Sequence, residues 1–242
     1  KHFRVITTME IIRLIRTASV LLILTIAGCS SETQKAKDLL ADSLLITSDL
    51  EFQDVKSYPG EAVCGSFTAT TSYTTRSVNQ PFVVRGETLD KNPSDMDWSI
   101  FCDRAPAARL HEQTGIGPFD QKALELKKIT NDMALLSGAM EQYYAEIFYY
   151  PTEEQGLQAL VKKPVSGNRL KNYREGGYLK EIPLDPWGRP YLYSHVRWGR
   201  VKGPFEISTL GKSGVSGGSE IEADVSSNYL PYLTHITKTI DQ

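Results

Sequence analysis

The stretch Asp185-Pro186-Trp187-Gly188-Arg189-Pro190-Tyr191 constrains this 242-residue chain more than any other. Pro186 presets φ at the second position of a β-turn opened by Asp185, and Gly188 closes that turn. An indole standing between two prolines cannot join a helix, so Trp187 serves as a local packing anchor. Tyr191-Leu192-Tyr193-Ser194 then begins a strand of period two. Two further markers flank this one. Upstream, Tyr150-Pro151-Thr152-Glu153-Glu154-Gln155-Gly156-Leu157-Gln158-Ala159-Leu160-Val161 follows directly on a long helical pattern. Downstream lies Ile207-Ser208-Thr209-Leu210-Gly211-Lys212-Ser213-Gly214, with Gly217-Gly218 and Ala223-Asp224-Val225 beyond it.

In this order the three markers resemble the globular part of the major pseudopilin of type II secretion, the G subunit, over roughly residues 118–228. That family shows a long helix, then Tyr-Pro-Thr-x-x-Gln-Gly-Leu-x-Ala-Leu, then Asp-Pro-Trp-Gly-x-Pro-Tyr, then a glycine-rich calcium loop ending in Ala-Asp-Ile. The resemblance implies an α+β fold, in which a pseudopilin-like head packs a long N-terminal α-helix on a small antiparallel sheet. It makes Pro151, Gly156, Asp185, Pro186, Trp187 and Gly188 motif and packing residues. It also implies Ca2+, held in the family by backbone carbonyls and two aspartates, one in Gly-x-Asp-Gly and one near Ala-Asp-Ile. Asp224 matches the second aspartate, whereas Ser213 replaces the first and offers a neutral oxygen in place of a carboxylate. Calcium affinity follows ligand charge, so this change weakens the expected site. Glu220 and Glu222 are placed to compensate, and Leu210 to supply its carbonyl; the other reading makes all five solvent-facing loop residues.

The N-terminus reads as an export address. Met9 is the expected start, with residues 1–8 as upstream translation; Met9 to Arg16 is a cationic region and Ala18 to Ala27 an apolar one. That run is short for a bilayer span, which favours a cleaved signal. It ends in Ile26-Ala27-Gly28-Cys29, which resembles a lipobox and makes Cys29 the lipidated first residue of the mature chain. Ser30 follows it in place of an aspartate, which in bacterial lipoproteins implies sorting to the outer membrane. An ordinary signal peptide with a chance cysteine is the plainer alternative.

Residues 29–37 are expected as a polar tether, and Asp38 to Leu50 as a short helix. Strand-like pieces follow at Phe52 to Tyr58, Ala62 to Thr71 and Pro81 to Val84. With Cys29 lipidated, Cys64 and Cys102 remain, and in an exported chain such a pair closes a disulfide. A metal or reactive thiol pair is the alternative, for which the nearest histidine is His111. Residues 38–104 thus read as a small disulfide-bonded α+β domain. The pattern Phe52-x-x-Val55 with Val63-Cys64-Gly65 resembles a small exported bacterial domain that brings no activity with it.

Residues 105–117, with Pro106, Gly115 and Gly117, read as a linker. From Phe119 the pattern turns helical: Ile129, Met133, Leu136, Met140, either Tyr143 or Tyr144, and Ile147 advance by threes and fours up to Pro151. A second short helix is expected over Gly156 to Lys162, and three strands around Tyr178-Leu179, at Tyr191 to Val196 and at Phe205 to Leu210. Residues 229–242 form a tail whose role is not legible. The resemblance also implies a prepilin-peptidase site and an apolar stem of about twenty residues; between Cys29 and Phe119 no run approaches the roughly 18 apolar residues that span a membrane. The expectation is a pilin head attached by lipid instead of by a stem.

The formal charge is −2, and beyond residue 28 it becomes −5, with 23 basic against 28 acidic residues. No basic field is left for nucleic acid. His111, His195 and His235 are scattered, neither a His-Glu-x-x-His nor a Gly-x-Ser-x-Gly pattern occurs, and Gly211-Lys212-Ser213-Gly214 lacks the spaced leading glycine of a phosphate loop. The expectation is therefore a non-enzymatic envelope lipoprotein whose partners are type II secretion or other envelope proteins. The alternative is a stand-alone lipoprotein using the same head as a ligand- or protein-binding module, with a hydrolase ranking below both.

Overall fold

The computed structural model describes residues 31–70, 75–119, 122–167, 170–195 and 203–240. Cys29 and the export address lie outside them, as do Thr71 and Val196 from the expected strands. The chain divides into two compact units, one ending at Arg104 and the other beginning at Ala105.

In the first unit, helix α1 covers residues 31–42, where a tether to residue 37 and a helix from Asp38 to Leu50 were expected. The reason is one turn of packing. Ala36 and Leu40 are buried together in the core with Val63, Phe67, Ala69, Phe82 and Val84, while Gln34 donates to Asp38 at 2.8 Å on the wet side. Burial of two apolar residues four apart outweighs the polar character of residues 31–35.

Four strands follow as an antiparallel sheet in chain order: β1 (Glu51–Tyr58), β2 (Ala62–Thr68), β3 (Gln80–Arg85) and β4 (Thr88–Asp90). The central strand β2 is covered on both faces, so its burial is nearly continuous. By strand alternation Val63, Gly65 and Phe67 share one face with the α1 core, and Cys64 points to the other. There Cys64 is bonded to Cys102, which ends helix α2 (Asp95–Phe101), and the disulfide expected from the sequence is present. A bulge interrupts β1 between Gln53 and Lys56, with Asp54 at φ 51°, and presses Val55 onto Gly65. A Cβ at Gly65 would stand 2.8 Å from Val55 Cγ2, so this strand position requires glycine.

In the second unit, the expected linker is helix α3 (Pro106–Thr114). Its prolines and glycines act as punctuation of a helix: Pro106 sits in the first turn and Gly115 takes φ 77° as the C-terminal stop. Helix α4 (Leu124–Ile147) carries the expected stripe and widens it, because Thr130, Asp132 and Ala139 are buried too. Two kinds of cover explain the width. Strand β6 (Phe205–Thr209) lies against α4, and so does helix α5 (Leu230–Ile240), which accounts for the tail.

The small sheet has β6 at its centre, with β5 (Leu192–His195) on one side and β7 (Val225–Ser226) on the other, both antiparallel. Its third strand is therefore β7 and not the expected Tyr178-Leu179. The N–H groups of Tyr178 and Leu179 both donate to the Leu160 carbonyl, at 2.7 and 3.0 Å, which leaves them no ladder to join. The expected helix over Gly156 to Lys162 is a single 3-10 turn, Leu157–Leu160, opened by Gly156 at φ 56°. Together these elements make the α+β head, a long helix on a small antiparallel sheet.

Candidate functional site

The Asp185 turn is built around one carboxylate. Asp185 is 3% exposed. Its Oδ1 accepts the N–H groups of Trp187 and Arg189 at 3.0 and 2.8 Å, and its Oδ2 accepts the Thr209 hydroxyl of β6 at 2.7 Å. Backbone bonds from Asp185 N to the Arg189 carbonyl and from Gly188 N to the Asp185 carbonyl close the turn, with Gly188 at φ 81°. Pro186 and Trp187 stay half-buried on its rim. The motif thus ties a turn to the sheet through side-chain hydrogen bonds.

The following tyrosines carry the turn to α4. Tyr191 donates to Asp132 Oδ2 at 2.8 Å, and Lys128 meets the same oxygen at 2.7 Å. Burial, then the Asp132 carboxylate, pushes the Tyr191 hydroxyl up, so it remains a donor. Tyr193 donates to the Pro151 carbonyl at 2.8 Å and is also pushed up, first by burial. Around Pro151, Thr152 and Gln155 cap each other reciprocally, at 2.9 and 3.2 Å, and Gly156 N closes on the Thr152 carbonyl at 2.9 Å. Pro151, Gly156, Asp185 and Thr209 therefore belong to one scaffold under the sheet.

The glycine-rich loop at residues 210–224 folds back on itself. Lys212 N donates to the Ile221 carbonyl at 2.9 Å, and Glu220 N donates to the Gly115 carbonyl at 2.7 Å, clipping the loop to the C-terminal end of α3. Gly211 meets Glu222 so closely that a Cβ would lie 2.5 Å from backbone. Of the five expected calcium donors, Asp224 Oδ2 accepts from Ser216 Oγ at 3.0 Å and Gly217 N at 2.9 Å. Asp224 Oδ1 is buried with no hydrogen-bond donor, which suits a cation. The other four are not gathered around it. Glu220 and Glu222 are exposed, Ser213 Oγ turns to Val215, and the Leu210 carbonyl accepts Gly214 N at 3.1 Å. Among the described residues no group of three or more Asp, Glu, His or Cys is placed to hold a metal. The arrangement fits calcium at a single carboxylate, short of the six to eight oxygens it prefers.

Arg189 is the residue that sequence reasoning passed over. Its guanidinium donates to the Gly211 carbonyl and, at 3.0 Å, to the Lys212 carbonyl, while Nε lies 3.5 Å from Asp185 Oδ2. It stands at the variable position of Asp-Pro-Trp-Gly-x-Pro-Tyr, where only the charge and reach of an arginine could have pointed to it. Beside this network a groove of about 190 Å³ is lined by Ile116, Pro118, Leu126, Trp187, Ile221 and Val225. Among the described residues the histidines fall on separate elements: His111 on α3, His195 on β5 and His235 on α5.

Residues 120–228 match the family described as type II secretion system protein G. The chain is similar to the type II secretion system core protein G of Pseudomonas aeruginosa, 42% identical over 106 residues that cover 44% of this chain and 71% of that protein. The Vibrio cholerae core protein G is also 42% identical, over 43% of this chain and 68% of its own length. Among solved structures, the major pseudopilin of the enterohaemorrhagic Escherichia coli type 2 secretion system is 30% identical, covering 44% of this chain and 89% of that one, with a TM-score of 0.37.

Proposed function

The chain belongs to the type II secretion system protein G family, and on that premise we propose that it is a non-enzymatic envelope lipoprotein whose pseudopilin-like head is a structural component of type II protein secretion. The observation that carries this reading is the scaffold itself: the Tyr150-Pro151, Asp185 and residue 210–224 motifs are joined by Tyr193, Thr209 and Arg189 into one frame on the sheet beside α4. Its polar side chains are committed to holding the fold, which is what a building block of an assembly needs. Attachment is through lipid on Cys29, and the protein faces the periplasm from the outer membrane. No helix among the described residues is long and apolar enough to cross a membrane. Calcium is ancillary in this reading. Asp224 would hold it, with Leu210, Ser213, Glu220 and Glu222 nearby in sequence, and it would add to the ordering of the loop.

Affinity isolation from native membranes of the source cell tests the proposal. Co-purification of type II secretion proteins is the expected result. Their absence, with other envelope proteins retained, would favour the second reading, a stand-alone binding module. One observation speaks for that second reading: α5 lies outside the matched residues and covers part of α4.

A further inference from the structure

The loop at residues 210–224 already holds a cation, supplied by the chain. Arg189 Nη1 and Nη2 reach the carbonyls of Lys212 and Gly211, two successive acceptors turned toward one point. Nε faces Asp185 Oδ2, whose side chain is 1% exposed and carries a charge that needs a partner at that depth. Gly214 makes room for the group, since a Cβ there would stand 2.6 Å from Nη1. A guanidinium is planar and presents its donors in a fixed fork, so it can bridge adjacent carbonyls and a carboxylate at once. Calcium would have to displace it to use the Gly211 and Lys212 oxygens. The exchange of a carboxylate for Ser213 fits the same design, because a single positive charge requires fewer negative ligands than a divalent ion.

We propose that Arg189 is the resident cation of this loop, fastening residues 210–224 to the Asp185 turn so that the loop stays ordered without calcium. This assignment stands on the arginine geometry alone and holds whether or not Asp224 binds the ion.

Amide hydrogen exchange on the full chain tests it, read at Lys212, Gly214 and Gly217, whose N–H groups bond to Ile221, Leu210 and Asp224. In the wild type, protection should be the same in calcium chloride and in chelator. In Arg189→Ala it should fall about tenfold or more in chelator. If that variant does not fold, Arg189→Lys keeps the charge but loses the fork, and the same amides report a smaller loss. Two results overturn the assignment: wild-type protection that collapses in chelator and returns with calcium, or protection in Arg189→Ala equal to wild type. Adding calcium to Arg189→Ala separates the two ideas. Regained protection means that Asp224 also binds the ion, and no recovery removes the calcium reading while the fall itself still supports Arg189.

Discussion

Asp185 commits both carboxylate oxygens to the chain around it, and the cost of disturbing it is correspondingly large. Asp185→Asn keeps the shape, removes the charge facing Arg189 and turns an NH2 toward groups that are themselves donors. Urea unfolding should show a loss of about 3 kcal/mol. Thr209→Val removes one donor from the same carboxylate and should cost about 1–2 kcal/mol. A second carboxylate offers a pH test. Hydrogen bonding from Arg174, with a further bond from Tyr178, holds Glu146 below its ordinary pKa of 4.5 against a smaller opposing effect of burial. A depressed folded pKa contributes stability that is present above 4.5 and lost as pH falls through the folded value. Arg174→Met should therefore be less stable than wild type at pH 7. The gap should narrow as pH falls below 4.5, and a gap that stays constant down the acid limb would contradict the pairing.

At the level of elements, α2 is tied to β2 by the Cys64–Cys102 bond, which closes a 38-residue separation. The chain-entropy argument assigns such a closure about 4 kcal/mol. Replacing both cysteines by serine should lower the stability of this unit by about that amount. Mass spectrometry after thiol alkylation of oxidised protein should find neither cysteine free. Helix α5 gives an independent test of the second unit. Leu233 and Ile236 are fully buried on it, so Leu233→Ala should cost about 2–4 kcal/mol by leaving a cavity. A cost below about 0.5 kcal/mol would mean that α5 is not docked as described.

At the scale of the whole molecule, the proposed attachment to the envelope rests on one residue, Cys29. Labelled palmitate should be incorporated into the wild type and not into Cys29→Ala, and the variant should leave the membrane fraction. A variant that stays membrane-bound would exclude lipid as the anchor. The balance of −5 beyond residue 28 makes electrostatic retention on anionic lipid a weak substitute.

Much of this protein is legible in local chemistry. Proline and glycine act through their own backbone limits, so the Asp185 turn could be placed from sequence, whereas Pro106 and Gly115, read there as linker, bound helix α3, and Gly156 opens a single 3-10 turn in place of a helix to Lys162. The stripe on α4 and the pairing of Cys64 with Cys102 were equally readable, the first from period and the second from arithmetic. What only the tertiary structure decided concerns groups whose partners are far along the chain. Tyr178 and Leu179 look like a strand until the Leu160 carbonyl takes both N–H groups, and residues 230–240 have no evident role until α4 offers a surface. Arg189 is the sharpest case. Its two carbonyl partners lie 22 and 23 residues away, so no local pattern marks it, and only the folded turn brings its charge to the loop.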